Sequence, residues 1–128
     1  MPLTNAGLAF IPNAVANNGS PDFFTNSNAY LGVGDDNTAF SAAHTDLQAS
    51  TNKLRKAMEA SYPQVSTYDL IFRSLFGTGE GNFPWEEWGV FNASSGGTML
   101  SRKVESLGTK TSASSWQLTA TLTFGIGS

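Results

Sequence analysis

Trp116-Gln-Leu-Thr-Ala-Thr-Leu-Thr-Phe124 is the stretch whose pattern decides the fold class. Trp116, Leu118, Ala120, Leu122 and Phe124 fall on one side of a two-residue repeat, and Gln117, Thr119, Thr121 and Thr123 on the other. Successive side chains of a strand point to opposite faces, so the run reads as an antiparallel strand with one face on a core and the other in water. Its threonines favour the pleated backbone as well.

Working outward, Lys110 to Ser115 is a polar connection, and Phe83 to Asn92 reads as an aromatic strand. Ser94-Ser95-Gly96-Gly97 supplies the positive φ angles of a tight hairpin before Thr98-Met99-Leu100 returns. Gly77 to Asn82 is a further connection. Tyr68, Leu70, Phe72 and Ser74 alternate with Asp69, Ile71 and Arg73, and Met58, Ala60 and Tyr62 alternate with Glu59, Ser61 and Pro63. Both runs predict strands, with the turn near Gln64-Val65 or Ser66-Thr67. Asn28 to Gly34 reads as a short strand entering the turn formers Asp35-Asp36-Asn37. The best helical segment is Ser41 to Lys56, where Leu47 and Leu54 lie a heptad apart and Thr45 or Asp46 offers a cap, against the poor helix formers Thr51-Asn52.

Short strands divided by Gly/Ser turns, without alternating helices, predict an all-β fold. The expectation is an antiparallel, jelly-roll-like β-sandwich over residues 27–128 with at most one short helix. Residues 1–26 read differently. They hold Asn5, Asn13, Asn17, Asn18 and Asn26 and the breakers Pro2, Gly7, Pro12, Gly19 and Pro21, with apolar residues at no regular period, which predicts an extended N-terminal arm. A freely solvated tail has few aromatics, so this arm is expected to dock on its own domain or on a neighbouring subunit. Leu8, Phe10, Ile11, Phe23 and Phe24 form the expected partner interface.

The chain has 128 residues, the size of one domain, and 40% are hydrophobic, enough for a core. Seven Lys+Arg against ten Asp+Glu give a net charge of −3, with no basic face to displace counterions from nucleic-acid phosphates. Without Cys there is no disulfide, thiol nucleophile or Cys-ligated metal. The apolar stretch Gly7 to Val15 is broken by Pro12 and Asn13 and falls short of the roughly 20 residues that span a bilayer. Nucleic acid and membrane are therefore not expected partners, and no export signal precedes the stretch.

Each chemical motif has a simpler reading beside it. His44, the only histidine, lies near Ser41 without a carboxylate to orient a triad, and reads as a solvated loop residue. Asp35, Asp36, Asn37 and Asp46 offer oxygen ligands for calcium but lack the spacing of an EF-hand loop, so a polar turn is preferred. Trp85-Glu86-Glu87-Trp88 suggests a glycosidase carboxylate pair, yet adjacent strand residues point to opposite faces. By the same alternation Trp85 and Glu87 share one face and Glu86 and Trp88 the other, which puts at least one Trp in the core and leaves exposure open to the other. Gly32-x-Gly34 and Gly77-Thr-Gly-Glu-Gly81 match no nucleotide-binding fingerprint. Asn18-Gly-Ser20 and Asn92-Ala-Ser94 match glycan acceptor triplets but receive no role.

The order of segments carries more. Leu31-Gly-Val-Gly34, Thr38 to Leu47, Arg55-Lys56, Trp85-Glu-Glu-Trp-Gly-Val-Phe-Asn-Ala93, Gly96-Gly-Thr-Met-Leu100, Lys110-Thr111 and Trp116 to Thr121 together resemble small structural proteins of tailed bacteriophages. The series is also similar, more loosely, to the N-terminal attachment domain of phage tail-collar fibres, over about residues 29 to 124. The resemblance implies a β-sandwich that assembles into virions in the host cytoplasm, with no catalytic residues and no cofactor. It implies a homo-oligomer, a trimer being favoured, bound to the major capsid protein or a neighbouring virion protein. Capsid decoration (cement) is the leading role, a tail, baseplate or fibre-attachment subunit the second, and a carbohydrate-binding module the third.

Overall fold

A computed structural model describes residues 2–125, so residues 126–128 of the expected 27–128 domain lie outside the described residues. The elements in chain order are α1 (Asn5–Ala16), β1 (Tyr30–Gly34), β2 (Lys53–Ala57), β3 (Gln64–Ser66), β4 (Asp69–Phe76), β5 (Pro84–Phe91), β6 (Met99–Thr109) and β7 (Trp116–Thr123). They form a 4-stranded sheet in the order β2-β1-β5-β6 and a 3-stranded sheet in the order β3-β4-β7, antiparallel throughout. The fold is the expected all-β sandwich. Leu31, Val33, Trp88, Val90 and Leu100 of the larger sheet meet Phe72, Phe76, Leu118, Ala120 and Leu122 of the smaller in one apolar core.

β7 alternates between buried and exposed along its length, as its sequence predicts. β1 and β5 do not alternate, because the larger sheet is covered on both faces. Its outer cover is the segment 35–52, which lays Leu47 against Phe91 and Met99. Gly34 lets this segment approach: a Cβ there would stand 2.3 Å from Glu87 Oε2 and 3.1 Å from the Ala49 side chain.

This cover replaces the helix expected over Ser41 to Lys56. Leu47 and Leu54, a heptad apart, serve opposite sides of the sheet, Leu47 beneath the loop and Leu54 against the main core. The chain from Lys53 onward is β2, paired with β1 from Tyr30↔Ala57 to Gly34↔Lys53. The expected strand through Met58, Ala60 and Tyr62 is also absent, since β2 ends at Ala57 and the backbone turns at Ser61 with φ 71°. The turn between β3 and β4 is Thr67-Tyr68, with Thr67 at φ 54°, whereas Gln64, Val65 and Ser66, expected near the turn, form β3 itself.

The N-terminal arm is not extended. Residues 5–16 are the helix α1, whose N-cap Thr4 accepts a hydrogen bond from Gly7 N–H and whose end is closed by Asn17 in the left-handed conformation. Pro12 and the asparagines disfavour such a helix locally, and tertiary packing overrides them. Leu3 bridges to Ser101 of β6, and Thr4 N–H donates to Leu100 O. Gly7 sits so close to Leu100 that a Cβ would fall 2.1 Å from its carbonyl oxygen. Beyond the helix the chain folds back, and Phe24 stacks edge-on between Phe10 at 5.0 Å and Phe72 at 6.3 Å. The arm thus docks on its own sandwich.

Candidate functional site

Two constellations stand out: a buried charged knot under the outer cover and an apolar surface around α1. Glu87 and Arg102 have fully buried side chains on neighbouring strands, with Arg102 Nε donating to Glu87 Oε1 at 2.7 Å. Glu87 also accepts from the N–H groups of Gln48 and Ala49, both at 2.8 Å. Arg102 Nη1 donates to Thr38 O at 3.0 Å, and Nη2 lies 4.0 Å from Asp36. Hydrogen bonds from the Thr38 hydroxyl and N–H hold the Asp36 carboxyl below its ordinary pKa, and the Arg102 charge acts in the same direction. The buried Glu87 carboxylate therefore fastens segment 35–52 to the sheet, accepting from Gln48 and Ala49 of the segment and from Arg102 of β6.

The carboxylate pair of the glycosidase reading is not brought together. Glu87 is sealed beneath the loop, whereas Glu86 is half-buried and accepts from the Ser106 hydroxyl at 3.3 Å. Both Trp85 and Trp88 are core residues, so the exposure left open to one of them is not realised. Register with β6 shifts between Trp85, paired with Gly108, and Glu87, paired with Val104, and this irregularity resets the alternation. Trp85 and Trp88 both enter the main core. Trp116 packs edge-on against Trp85 at 5.0 Å and is the one partly exposed indole.

The remaining candidates are dispersed. His44 Nδ1 accepts from the Ser41 backbone N–H at 3.2 Å, and the Ser41 hydroxyl accepts from Ala43 N–H, a local turn without a nucleophile–base contact. Asp35 accepts from Asn52, Asp36 faces Thr38 and Arg102, and Asp46 pairs with Lys53 and Arg55. Among the described residues no Asp, Glu, His or Cys cluster has the makings of a metal site. Nor, among the described residues, is any helix long and apolar enough to cross a membrane.

The apolar surface is continuous. A groove of about 190 Å³ is lined by Phe10, Ile11, Val15, Phe24, Leu70 and Phe124, among others. Leu70 and Phe124 also line the adjoining hollow, together with Val65 and Tyr68. Val15 is 84% exposed, Val65 76%, Tyr68 54% and Phe124 39%, although all are large and apolar or aromatic. Of the expected interface residues, Phe10, Ile11 and Phe24 line this groove, while Leu8 and Phe23 are exposed outside it. Sequence reasoning missed Val65, Tyr68 and Phe124, which strand periodicity assigns to buried or turn positions. Their signal was position: Val65 sits in a three-residue edge strand and Phe124 just past the end of β7, where little covers an inward face.

In comparisons with protein-family profiles, curated proteins and solved structures, nothing matches this chain.

Proposed function

We propose that this protein is a non-enzymatic structural component of a tailed-bacteriophage virion, acting as a capsid decoration (cement) subunit on the assembled lattice. The observation that carries the reading is the apolar surface from Val15 through Phe124 to Val65, exposed on a single chain of which only 13% of residues are charged. Contiguous exposed apolar area on a folded domain marks a contact with another macromolecule. The ordered series of segments that resembles phage structural proteins supplies the kind of partner, the major capsid protein or a neighbouring virion protein. The commitment of Glu87 to Arg102 and the loop, and of Trp85 and Trp88 to the core, weighs against the sugar-cleaving alternative.

Val15→Asp combined with Val65→Asp tests the surface, because both positions are exposed and substitution leaves the core intact. Decoration predicts that purified wild-type protein rebinds particles stripped of it and that the double variant does not. Antibody labelling of whole particles then separates the roles: signal over the whole head supports decoration, and signal at one vertex assigns the protein to the tail or fibre attachment. Normal rebinding by the double variant overturns the surface.

A further inference from the structure

Sheet edges are the places where one chain recruits another, and folded proteins shield them with charge, proline, bulges, short length or a cover. Three of the four edges here are shielded. β2 carries Lys53, Arg55 and Lys56, β3 is only three residues long, and β6 has two register shifts and is bridged by Leu3 beside α1. β7 has none of these devices. Its eight residues include no charge, Pro or Gly, and its register with β4 runs unbroken from Asp69↔Thr123 to Phe76↔Trp116.

The direction of its free groups follows from the ladder. Phe124 N–H donates to Tyr68 O, so the even-numbered residues of β7 bond to β4. The N–H and C=O groups of Gln117, Thr119, Thr121 and Thr123 then point to the other side, where among the described residues no strand pairs with them. No element other than β4 makes an extended contact with β7.

We propose that β7 is the self-association edge of this protein, pairing antiparallel with β7 of a second copy about a two-fold axis at Ala120. In that register Thr119 lies opposite Thr121 of the second copy and Gln117 opposite Thr123, all four carrying the outward N–H and C=O groups. Leu118 faces Leu122 on the core side, and Trp116 faces Phe124, two aromatics that the isolated chain leaves partly exposed. Threonine–threonine and apolar cross-strand pairs are favourable, and no like charges meet. The same operation on β2 would set Arg55 against Arg55 of the second copy, whereas β7, uncharged over its whole length, meets a second β7 with no like-charge contact. The two smaller sheets become one continuous sheet. The contact is isologous and closes as a dimer. It belongs to the free protein and does not depend on the virion reading.

Sedimentation of the purified full chain over a dilution series, with two variants, tests the pairing. Thr119→Lys/Thr121→Lys sets lysine against lysine across the axis, whereas Thr119→Glu/Thr121→Lys sets glutamate against lysine in this register alone. Both positions are exposed, and Gln117→Lys/Thr123→Lys, which also sets lysine against lysine in this register but beside Glu59 and Asp69 of its own chain and away from Arg73, is the fallback if the first variant fails to fold. The expected result is a wild-type dimer, a dissociation constant raised about tenfold or more by the lysine pair, and recovery in the charge-swapped variant. A wild-type monomer at every concentration, a trimer, or equal association of all variants overturns the proposal.

Discussion

The smaller sheet has one dry face and one wet face, whereas the larger sheet is dry on both along its central strands β1 and β5, and its second cover is a loop held down by charge. The difference shows in what each sheet asks of its sequence. β7 needs apolar residues at every second position and is content with threonine and glutamine elsewhere. β1 and β5 must satisfy two interiors, so glycine, glutamate, valine and aromatics follow one another without a period. The wet face tolerates change; the doubly covered sheet depends on a few groups that cannot be replaced one at a time.

The largest effect is expected where the cover is fastened. Glu87→Ala strands the buried Arg102 guanidinium and removes the acceptor of Gln48 and Ala49 N–H, a loss of about 3–5 kcal/mol in urea unfolding. Replacing both partners, Glu87→Met with Arg102→Leu, is expected to cost clearly less than Glu87→Ala, because no orphan charge remains. A double variant as damaged as the single would show that the loop backbone, not the ion pair, carries the cover.

Next comes the attachment of α1 to the larger sheet. Gly7→Ala raises intrinsic helix propensity yet drives a methyl group into the Leu100 carbonyl, so the contact sets the sign. A loss of about 1–3 kcal/mol, with faster proteolysis around residues 5–16, is expected. Unchanged stability would mean that the helix is not pressed on β6. On the wet face Thr121→Val is expected to stay within about 0.5 kcal/mol of wild type, and a larger change would break the comparison between the sheets.

The smallest effect concerns a clip between the sheets. Glu80, in the loop after β4, accepts from Lys56 Nζ of β2 at 2.6 Å and from Gly77 N–H at 2.7 Å. The Lys56 hydrogen bond, then that of Gly77, holds the Glu80 carboxyl below its ordinary range. A depressed carboxylate favours the folded state above the unfolded glutamate pKa, and the contribution fades as pH falls through the lower folded value. Glu80→Gln is therefore expected to leave a shallower loss of stability in acid, read from thermal midpoints; an unchanged slope would assign the clip no role.

How much of this was legible follows from the same contrast. Trp116 to Phe124 and Tyr68 to Ser74 announced their strands, because water on one face imposes a period, and Gly96 and Gly97 marked their hairpin by a conformation that favours glycine. The helix over residues 5–16 was hidden because its support lies far along the chain, at Leu100 and Phe72. The spacing of Leu47 and Leu54 fits a helix over Ser41 to Lys56, while the true constraint on that stretch, the acceptor oxygens of Glu87, is remote in sequence. Phe10, Ile11 and Phe24, which line the exposed groove, were marked by their apolarity in a polar context. Val65 and Phe124 were not, since their exposure is a matter of where strands end.

The most direct test of the proposed virion role is the copy number of this protein relative to the major capsid protein in purified phage particles, by quantitative mass spectrometry. Decoration of the lattice predicts a ratio near one or a simple fraction of it. A ratio of a few per cent would contradict decoration and place the protein at the tail vertex, and absence from the particles would contradict the virion assignment altogether.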